Sequence, residues 1–141
     1  MEPPVQVEIT GARELRAHLR RLGRWAVVEY KAIHVEAGEL VAGEARGLAP
    51  RRTGALSASI RARKLQAGAR VSAGSAKRVP YAGPVHFGWP SRPNRERRWR
   101  GGPIRPNPFL YDAIDRRRAD VIALYERRLK DLPVFREYGV R

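Results

Sequence analysis

The spacing of apolar residues in the first third of the chain predicts a short strand followed by a long helical region. Apolar and polar residues alternate within residues 1–11, which is the pattern of a strand or an extended arm. Over residues 12–48 apolar residues recur every three or four positions, which predicts one long helix or two. Gly23 is the expected bend, and Gly47 followed by Pro50 marks the expected end.

The next segment, residues 56–88, is predicted to be rich in β-structure. Residues 56–65 alternate, which predicts a half-buried strand with a cationic outer face. The inward set is Leu56, Ala58, Ile60 and Ala62, and the outward set is Ser57, Ser59, Arg61 and Arg63. A turn at residues 66–68 and a second alternating run at residues 69–73 complete a hairpin. Residues 80–88 fit either an edge strand or a short helical turn started by Pro80.

The last third of the chain combines an extended loop with a helix. Residues 89–106 are rich in arginine, proline and glycine and are too polar to pack on their own. Residues 107–131 carry an apolar stripe at helical spacing, with Asn107 as the expected N-cap and Pro108 in the first helical position. Residues 132–141 form a tail after this helix.

Together these patterns predict a single α+β domain spanning residues 1–141. Its parts are a long N-terminal helical region, a small antiparallel β-sheet and a C-terminal helix that packs on the sheet. A chain of 141 residues is long enough to bury a modest hydrophobic core.

Charge adds a strong asymmetry to this picture. The formal net charge is +15, and only four of the 29 basic residues are lysine. Codon bias in a GC-rich genome would favour arginine over lysine, but it does not explain where the charge lies. Between Ala45 and Arg95 there is no Asp or Glu, and this stretch holds eleven basic residues. A field of one sign attracts an acidic protein face or nucleic acid.

Two sets of side chains are therefore candidates for an interface or for contact with DNA. The set on and before the predicted strand is Arg51, Arg52, Arg61 and Arg63. The set on the loop is Trp89, Arg92, Arg95, Arg97, Arg98, Trp99 and Arg100. Aromatic anchors with an arginine-rich rim are typical of a protein interface.

Residues for catalysis or for a cofactor are not evident. The chain has no cysteine, and its three histidines show no metal-ligand spacing. His18 and His34 are expected on helix surfaces, whereas His86 is expected to pack among apolar residues. We expect no catalytic residues, no cofactor and no metal, and hence no enzyme. The sequence also shows no membrane segment and no signal peptide.

Three short motifs in fixed order carry a family resemblance. The first runs from Ala49-Pro50 through Arg52-Thr53-Gly54-Ala55-Leu56 to Ser59-Ile60. The second joins Tyr81-Ala82 to Phe87-Gly88, and the third is Pro108-Phe109-Leu110 with Ala113. The structural motif residues are Thr53, Gly54, Tyr81, Phe87, Gly88, Pro108 and Phe109. In this order the motifs resemble the small tail-component proteins of tailed bacteriophages, which are encoded between the head–tail connector and the tail tube.

The resemblance implies a structural protein of the virion, at the neck or the head-proximal end of the tail. It implies a homo-oligomeric ring, a hexamer by analogy with tail symmetry. Its partners would be neighbouring neck and tail proteins, in a minor-tail, tail-completion or head–tail-connector role. DNA in the channel is a further possible partner. The protein would be present in the host cytoplasm during assembly.

Two other functions remain open at this point. A basic nucleic-acid-binding module would use Tyr81, Phe87, Trp89 and Trp99 to stack bases between arginines. No known nucleic-acid-binding motif accompanies these residues. A regulator such as a toxin component is the weaker alternative.

Overall fold

The computed structural model describes residues 5–10, 20, 23–66, 68–89 and 103–131. Along these residues the elements are β1 (Val5–Thr10), α1 (Arg24–Leu48), α2 (Ala55–Ser59), β2 (Arg61–Leu65), β3 (Gly68–Ala73), α3 (Ala82–Phe87) and α4 (Phe109–Asp131). The predicted α+β class is confirmed. Most of the predicted helix before Gly23, most of the 89–106 loop and the 132–141 tail lie outside the described residues.

Local sequence sets both ends of α1. Gly23 has a φ of 128° and directly precedes the helix, so the expected break at this glycine is present. At the other end Ala49 is extended, with φ −61° and ψ 134°, as expected for a residue before proline. Its N–H still donates to the carbonyl oxygen of Ala45 at 2.8 Å, which closes the last helical turn.

The sheet has the strand order β1-β3-β2, and both pairings are antiparallel. The predicted hairpin is present as β2 and β3, and the predicted N-terminal strand β1 adds to the other side of β3. On β3 the inward residues Ala69, Val71 and Ala73 are buried, and they alternate with the half-buried Arg70 and Ser72. The alternation expected for this strand is confirmed.

Helix α1 lies directly on the inner face of the sheet. A Cβ built on Gly38 would stand 3.0 Å from the Cβ of Ala69 and 3.1 Å from that of Ala62. The helix backbone therefore approaches β2 and β3 more closely than a larger side chain would allow. Small residues on neighbouring turns of α1, among them Ala42 and Ala45, are fully buried in the same layer.

The prediction of a strand over residues 56–65 is wrong for its first half. Residues 55–59 form the short helix α2, and β2 begins only at Arg61. Gly54, with a φ of 81°, turns the chain into α2. The Ser57 hydroxyl donates to the carbonyl oxygen of Arg46 at 3.0 Å, and the Ser59 hydroxyl donates to that of Leu56 at 2.6 Å. These half-buried serines bond to backbone, so they do not form an outward strand face, and Ala58, expected inside, is exposed.

Helix α3 resolves the ambiguity at residues 80–88 in favour of a short helix, which begins at Ala82. Helix α4 begins at Phe109, and its first backbone bond runs from the Asp112 N–H to the carbonyl oxygen of Pro108 at 2.9 Å. Pro108 therefore takes the capping position predicted for Asn107.

Helix α4 packs along α1 and also contacts β1, so the main core lies between the sheet, α1 and the start of α4. Its buried side chains include Val41, Ile60, Val71, Phe109 and Leu110. A second cluster joins the early part of α1 to the later part of α4, through Tyr30, Ile33, Ala37 and Leu124.

Candidate functional site: a basic groove on the sheet

The outer face of the sheet, turned away from α1, forms a groove of about 1000 Å³. Strand alternation places Arg61 and Arg63 of β2 on this face together with Arg70 of β3. In the register Arg63 lies opposite Arg70, and Arg61 lies opposite Ser72. We call this surface the basic groove and define it by its cations, which are Arg61, Arg63, Arg70, Lys77 and Arg78.

A tight turn after β3 brings the last two cations to the groove. Ser75 and Val79 exchange backbone hydrogen bonds of 3.3 and 3.1 Å. The Ser75 hydroxyl oxygen also accepts the N–H of Arg78 at 3.1 Å. Lys77 and Arg78 are therefore carried on a hydrogen-bonded turn, and both side chains are exposed.

Gly74 joins this turn to the rest of the fold. It has a φ of 90°, and a Cβ there would lie 2.5 Å from the Cβ of Ala82 and 2.9 Å from the carbonyl oxygen of Val79. The Gly74 N–H donates to the Ser59 hydroxyl oxygen at 2.9 Å. The end of β3 thus meets α2 and α3 at a position where only glycine fits.

The cations of the long helices and those of the groove differ in whether they form ion pairs. On α1 and α4, arginines pair with carboxylates at distances of 2.9 to 3.5 Å. These arginines are Arg46, Arg116, Arg117, Arg118 and Arg128. In the groove no carboxylate of the described residues pairs with the exposed Arg61, Arg63, Lys77 or Arg78. Glu8 of β1 stands opposite Arg70 in the register, and Arg70 is not counted among these unpaired cations.

This difference extends to the two halves of the molecule. Helices α1 and α4 together contain nine basic and nine acidic residues, so the helical layer is neutral overall. Residues 49–89 contain eight basic residues and no acidic one. The structure therefore separates a balanced helical face from a cationic sheet face.

The three motifs of the family resemblance meet beside this cationic region. Thr53 and Gly54 from the first motif and Tyr81 from the second line a separate concavity of about 530 Å³, together with Val85, which lies between the two parts of the second motif. The third motif begins beside it, because the N–H of Asn107, the residue before Pro108, donates to the carbonyl oxygen of Val85 at 2.9 Å. The concavity also contains Arg51, Arg52 and Ile104. Arg51 and Arg52 therefore line a different surface from Arg61 and Arg63.

An aromatic cluster surrounds His86 at the start of α4. The buried imidazole makes edge contacts with Phe87, Phe109 and Tyr111, at centroid distances of 4.5 to 5.2 Å. Burial lowers the pKa of His86, and the charge of Asp112 opposes this effect in part. The expected packing role of His86 is confirmed. Phe87 and Tyr111 remain 58% and 47% exposed, so they are available as contact residues.

His34 was expected on a helix surface, and this expectation is wrong, because the residue is fully buried. Its Nδ1 atom hydrogen-bonds the Tyr125 hydroxyl of α4, and its ring contacts Tyr30 edge-on. Burial lowers the pKa of His34 and raises that of Tyr125. The apolar stripe from Tyr30 through Ile33 to Ala37 runs past His34, and this was the available signal for its burial.

Of the loop candidates, only Trp89 lies among the described residues. Trp89 is only 7% exposed, so it is not an exposed anchor. Its backbone pairs with Ile104 through bonds of 2.9 and 3.1 Å, which closes the base of the 89–106 segment. The other candidates lie outside the described residues, and they are Arg92, Arg95, Arg97, Arg98, Trp99 and Arg100.

The described residues lack two further features. They contain no group of three or more His, Cys, Asp or Glu side chains placed to hold a metal ion. None of the helices in this part of the chain is long and apolar enough to cross a membrane.

Comparison with family models, with curated proteins and with solved structures found no match for this chain. The basic groove, the motif concavity and the aromatic cluster are therefore the features from which a function can be argued.

Proposed function

We propose that the protein is a structural assembly protein of a tailed bacteriophage, located at the neck or the head-proximal end of the tail. In this role it forms a homo-oligomeric ring, joins or completes head and tail, and catalyses no reaction. The observation that carries the proposal is the convergence of the three motifs at one junction. Residues of the first two motifs line one concavity, and the backbone bond between Asn107 and Val85 holds the start of the third motif beside it.

The partition of charge supports the same role. A closed ring of identical subunits uses heterologous contacts, so each subunit needs two unlike faces. This chain has a neutral helical layer, on which Val28 and Ile122 are 63% and 53% exposed, and a cationic sheet face. Those two apolar side chains are suited to a contact between subunits, whereas the sheet face is suited to an anionic partner.

The base-stacking alternative draws less support from the described residues. Trp89 is buried, and Tyr81 lines the motif concavity rather than the basic groove. Tyr81 shares its concavity with Arg51 and Arg52, but no aromatic side chain of the described residues lines the basic groove, so bases could not stack among the groove cations.

The test of the proposal is self-association followed by imaging. We expect light scattering of the purified full chain to show a discrete oligomer and electron microscopy to show closed rings. Ile122→Asp should shift the mass toward the monomer, because it places a charge in an apolar contact, while Ala123→Asp on the adjacent exposed position serves as a control. A monomer at every concentration that also fails to join phage particles would contradict the proposal.

A further inference from the structure

We infer that the basic groove binds the phosphate backbone of duplex DNA without reading its sequence. The inference concerns the partner of the sheet face. Only the choice of DNA over duplex RNA rests on the proposed function. The binding chemistry rests on the groove itself.

The residues that line the groove match the chemistry of phosphate groups. Four of the five cations are arginines, whose planar guanidinium groups match phosphate oxygens in bidentate geometry. Hydroxyl and amide groups of Gln6, Ser72 and Ser75 add neutral hydrogen-bonding partners along the same groove. Exposed cations without a carboxylate partner in the described structure are free to neutralise an incoming anion, and such neutralisation releases counterions from DNA.

The lining of the groove does not favour an acidic protein as its occupant. The centre of a protein interface is built from aromatic and large apolar anchors. The apolar residues of the groove are small, namely Ala55, Ala58, Ala76 and Val79. The exposed aromatic residues Phe87 and Tyr111 do not line it. A surface with cations and hydroxyls but no anchors fits a sugar–phosphate backbone better.

The lining of the groove also favours duplex over single-stranded nucleic acid. Proteins that hold single strands stack the bases on aromatic side chains, and the groove lining includes none. A duplex presents its phosphates outward and needs no stacking partner. Contacts to phosphates alone carry no sequence information, so binding should be the same for any mixed sequence.

Fluorescence anisotropy of the full chain with a labelled duplex tests the inference. Four phosphate contacts, from Arg61, Arg63, Lys77 and Arg78, predict a slope of about −4 for log K against log NaCl concentration between about 50 and 200 mM. The variant Arg61→Gln with Arg63→Gln should make this slope shallower by about 2 and weaken binding at least roughly tenfold at about 100 mM salt. Lys77→Gln with Arg78→Gln should have a similar effect on the slope and on the affinity. Because these two residues lie on the turn and not on a strand, this variant tests the groove even if the strand variant is unstable.

The matched control is Arg127→Gln with Lys130→Gln, which removes the same charge from exposed positions of α4 and should leave the slope nearly unchanged. Equal losses in the control and groove variants would overturn the inference, because binding would then follow net charge alone. A wild-type slope shallower than about −2, or tighter binding of a single strand than of the duplex, would also overturn it. So would displacement of the duplex by polyglutamate as effectively as by unlabelled DNA.

The same preparations separate this inference from the proposed function. Closed rings without salt-sensitive DNA binding would reject the groove inference and leave the assembly role standing. Salt-sensitive duplex binding by a protein that stays monomeric and never enters particles would support the groove inference and reject the assembly role.

Discussion

The turn that carries Lys77 and Arg78 depends on Gly74, because a side chain at this position would clash with its neighbours. Gly74→Ala combines a positive φ with a Cβ 2.5 Å from the Cβ of Ala82. We expect it to lower the free energy of unfolding by about 3 kcal/mol. Gly43→Ala is the control, because nothing lies within 4 Å of its added Cβ inside α1, and it should raise stability by up to about 1 kcal/mol. Urea unfolding measures both, and similar effects from the two changes would contradict the strain at Gly74.

Two buried histidines make stability depend on pH. Burial lowers the pKa of His34 and of His86 below the 6.5 of an exposed imidazole, so the unfolded chain binds protons at a pH where the native chain does not. Their contribution to stability is fully present above about pH 6.5 and is lost as the pH falls from there toward the folded pKa values. The expected slope is at most about 1.4 kcal/mol per pH unit for each histidine, measured by urea unfolding at a series of pH values.

His86→Leu isolates one of these two contributions. Neither ring nitrogen of His86 has a hydrogen-bond partner among the described residues, and aromatic rings surround the side chain. Leucine should therefore keep the stability at pH 7.5 within about 1 kcal/mol and remove part of its loss between about pH 6.5 and 5. An unchanged pH profile would show that His86 titrates normally in the folded protein.

At the scale of elements, the contact between α1 and the sheet depends on Gly38. Gly38→Val would force its Cβ toward Ala69 and Ala62, which stand 3.0 and 3.1 Å away, and would separate the helix from both strands. We expect a loss of about 2 to 3 kcal/mol in the free energy of unfolding. Gly43→Val introduces the same side chain into open space on the same helix and should change stability by less than about 1 kcal/mol. Thermal unfolding of the two variants shows whether the loss of stability comes from the close approach of the α1 backbone to the sheet or from the lower helix propensity of valine.

The elements also show where sequence reasoning succeeds and where it fails. Long periodic segments were predicted well: α1 ends where Pro50 requires, and α4 starts within two residues of Asn107. The segment from Leu56 to Ser59 was predicted wrongly, because four alternating residues satisfy a strand pattern and one helical turn alike. What decides between them is the positive φ of Gly54 and the bond from the Ser57 hydroxyl to the Arg46 carbonyl oxygen, and the second of these depends on α1.

Part of the candidate site could be predicted from the sequence, and part of it could not. The absence of acidic residues between Ala45 and Arg95 identified the cationic face, and alternation placed Arg61 and Arg63 outward. Sequence spacing could not show that Lys77 and Arg78 join them, because a tight turn brings these residues to the groove. Nor could it separate Arg51 and Arg52 from that surface, since the intervening turn and α2 redirect the chain.

At the scale of the whole molecule, the separation of a neutral helical layer from a cationic sheet face leads to a test of assembly. Arg61→Glu with Arg63→Glu should leave the monomer folded, because both side chains are exposed and pair with no carboxylate of the described residues. In a phage that depends on the variant, we expect heads and tails to accumulate unjoined, since the sheet face would then repel its anionic partner. Circular dichroism checks the fold, and electron microscopy of lysates counts joined particles.

The control for this test changes the same amount of charge on the helical layer. Arg127→Glu with Lys130→Glu reverses two exposed cations of α4, where basic and acidic residues are already mixed. If the position of the charge matters, only the sheet variant blocks joining, and a change in net charge alone has little effect. Joined particles in normal numbers from the sheet variant would mean that the cationic face is not a contact surface during assembly. Equal loss in both variants would mean that total charge, rather than its separation between the two faces, is what assembly requires.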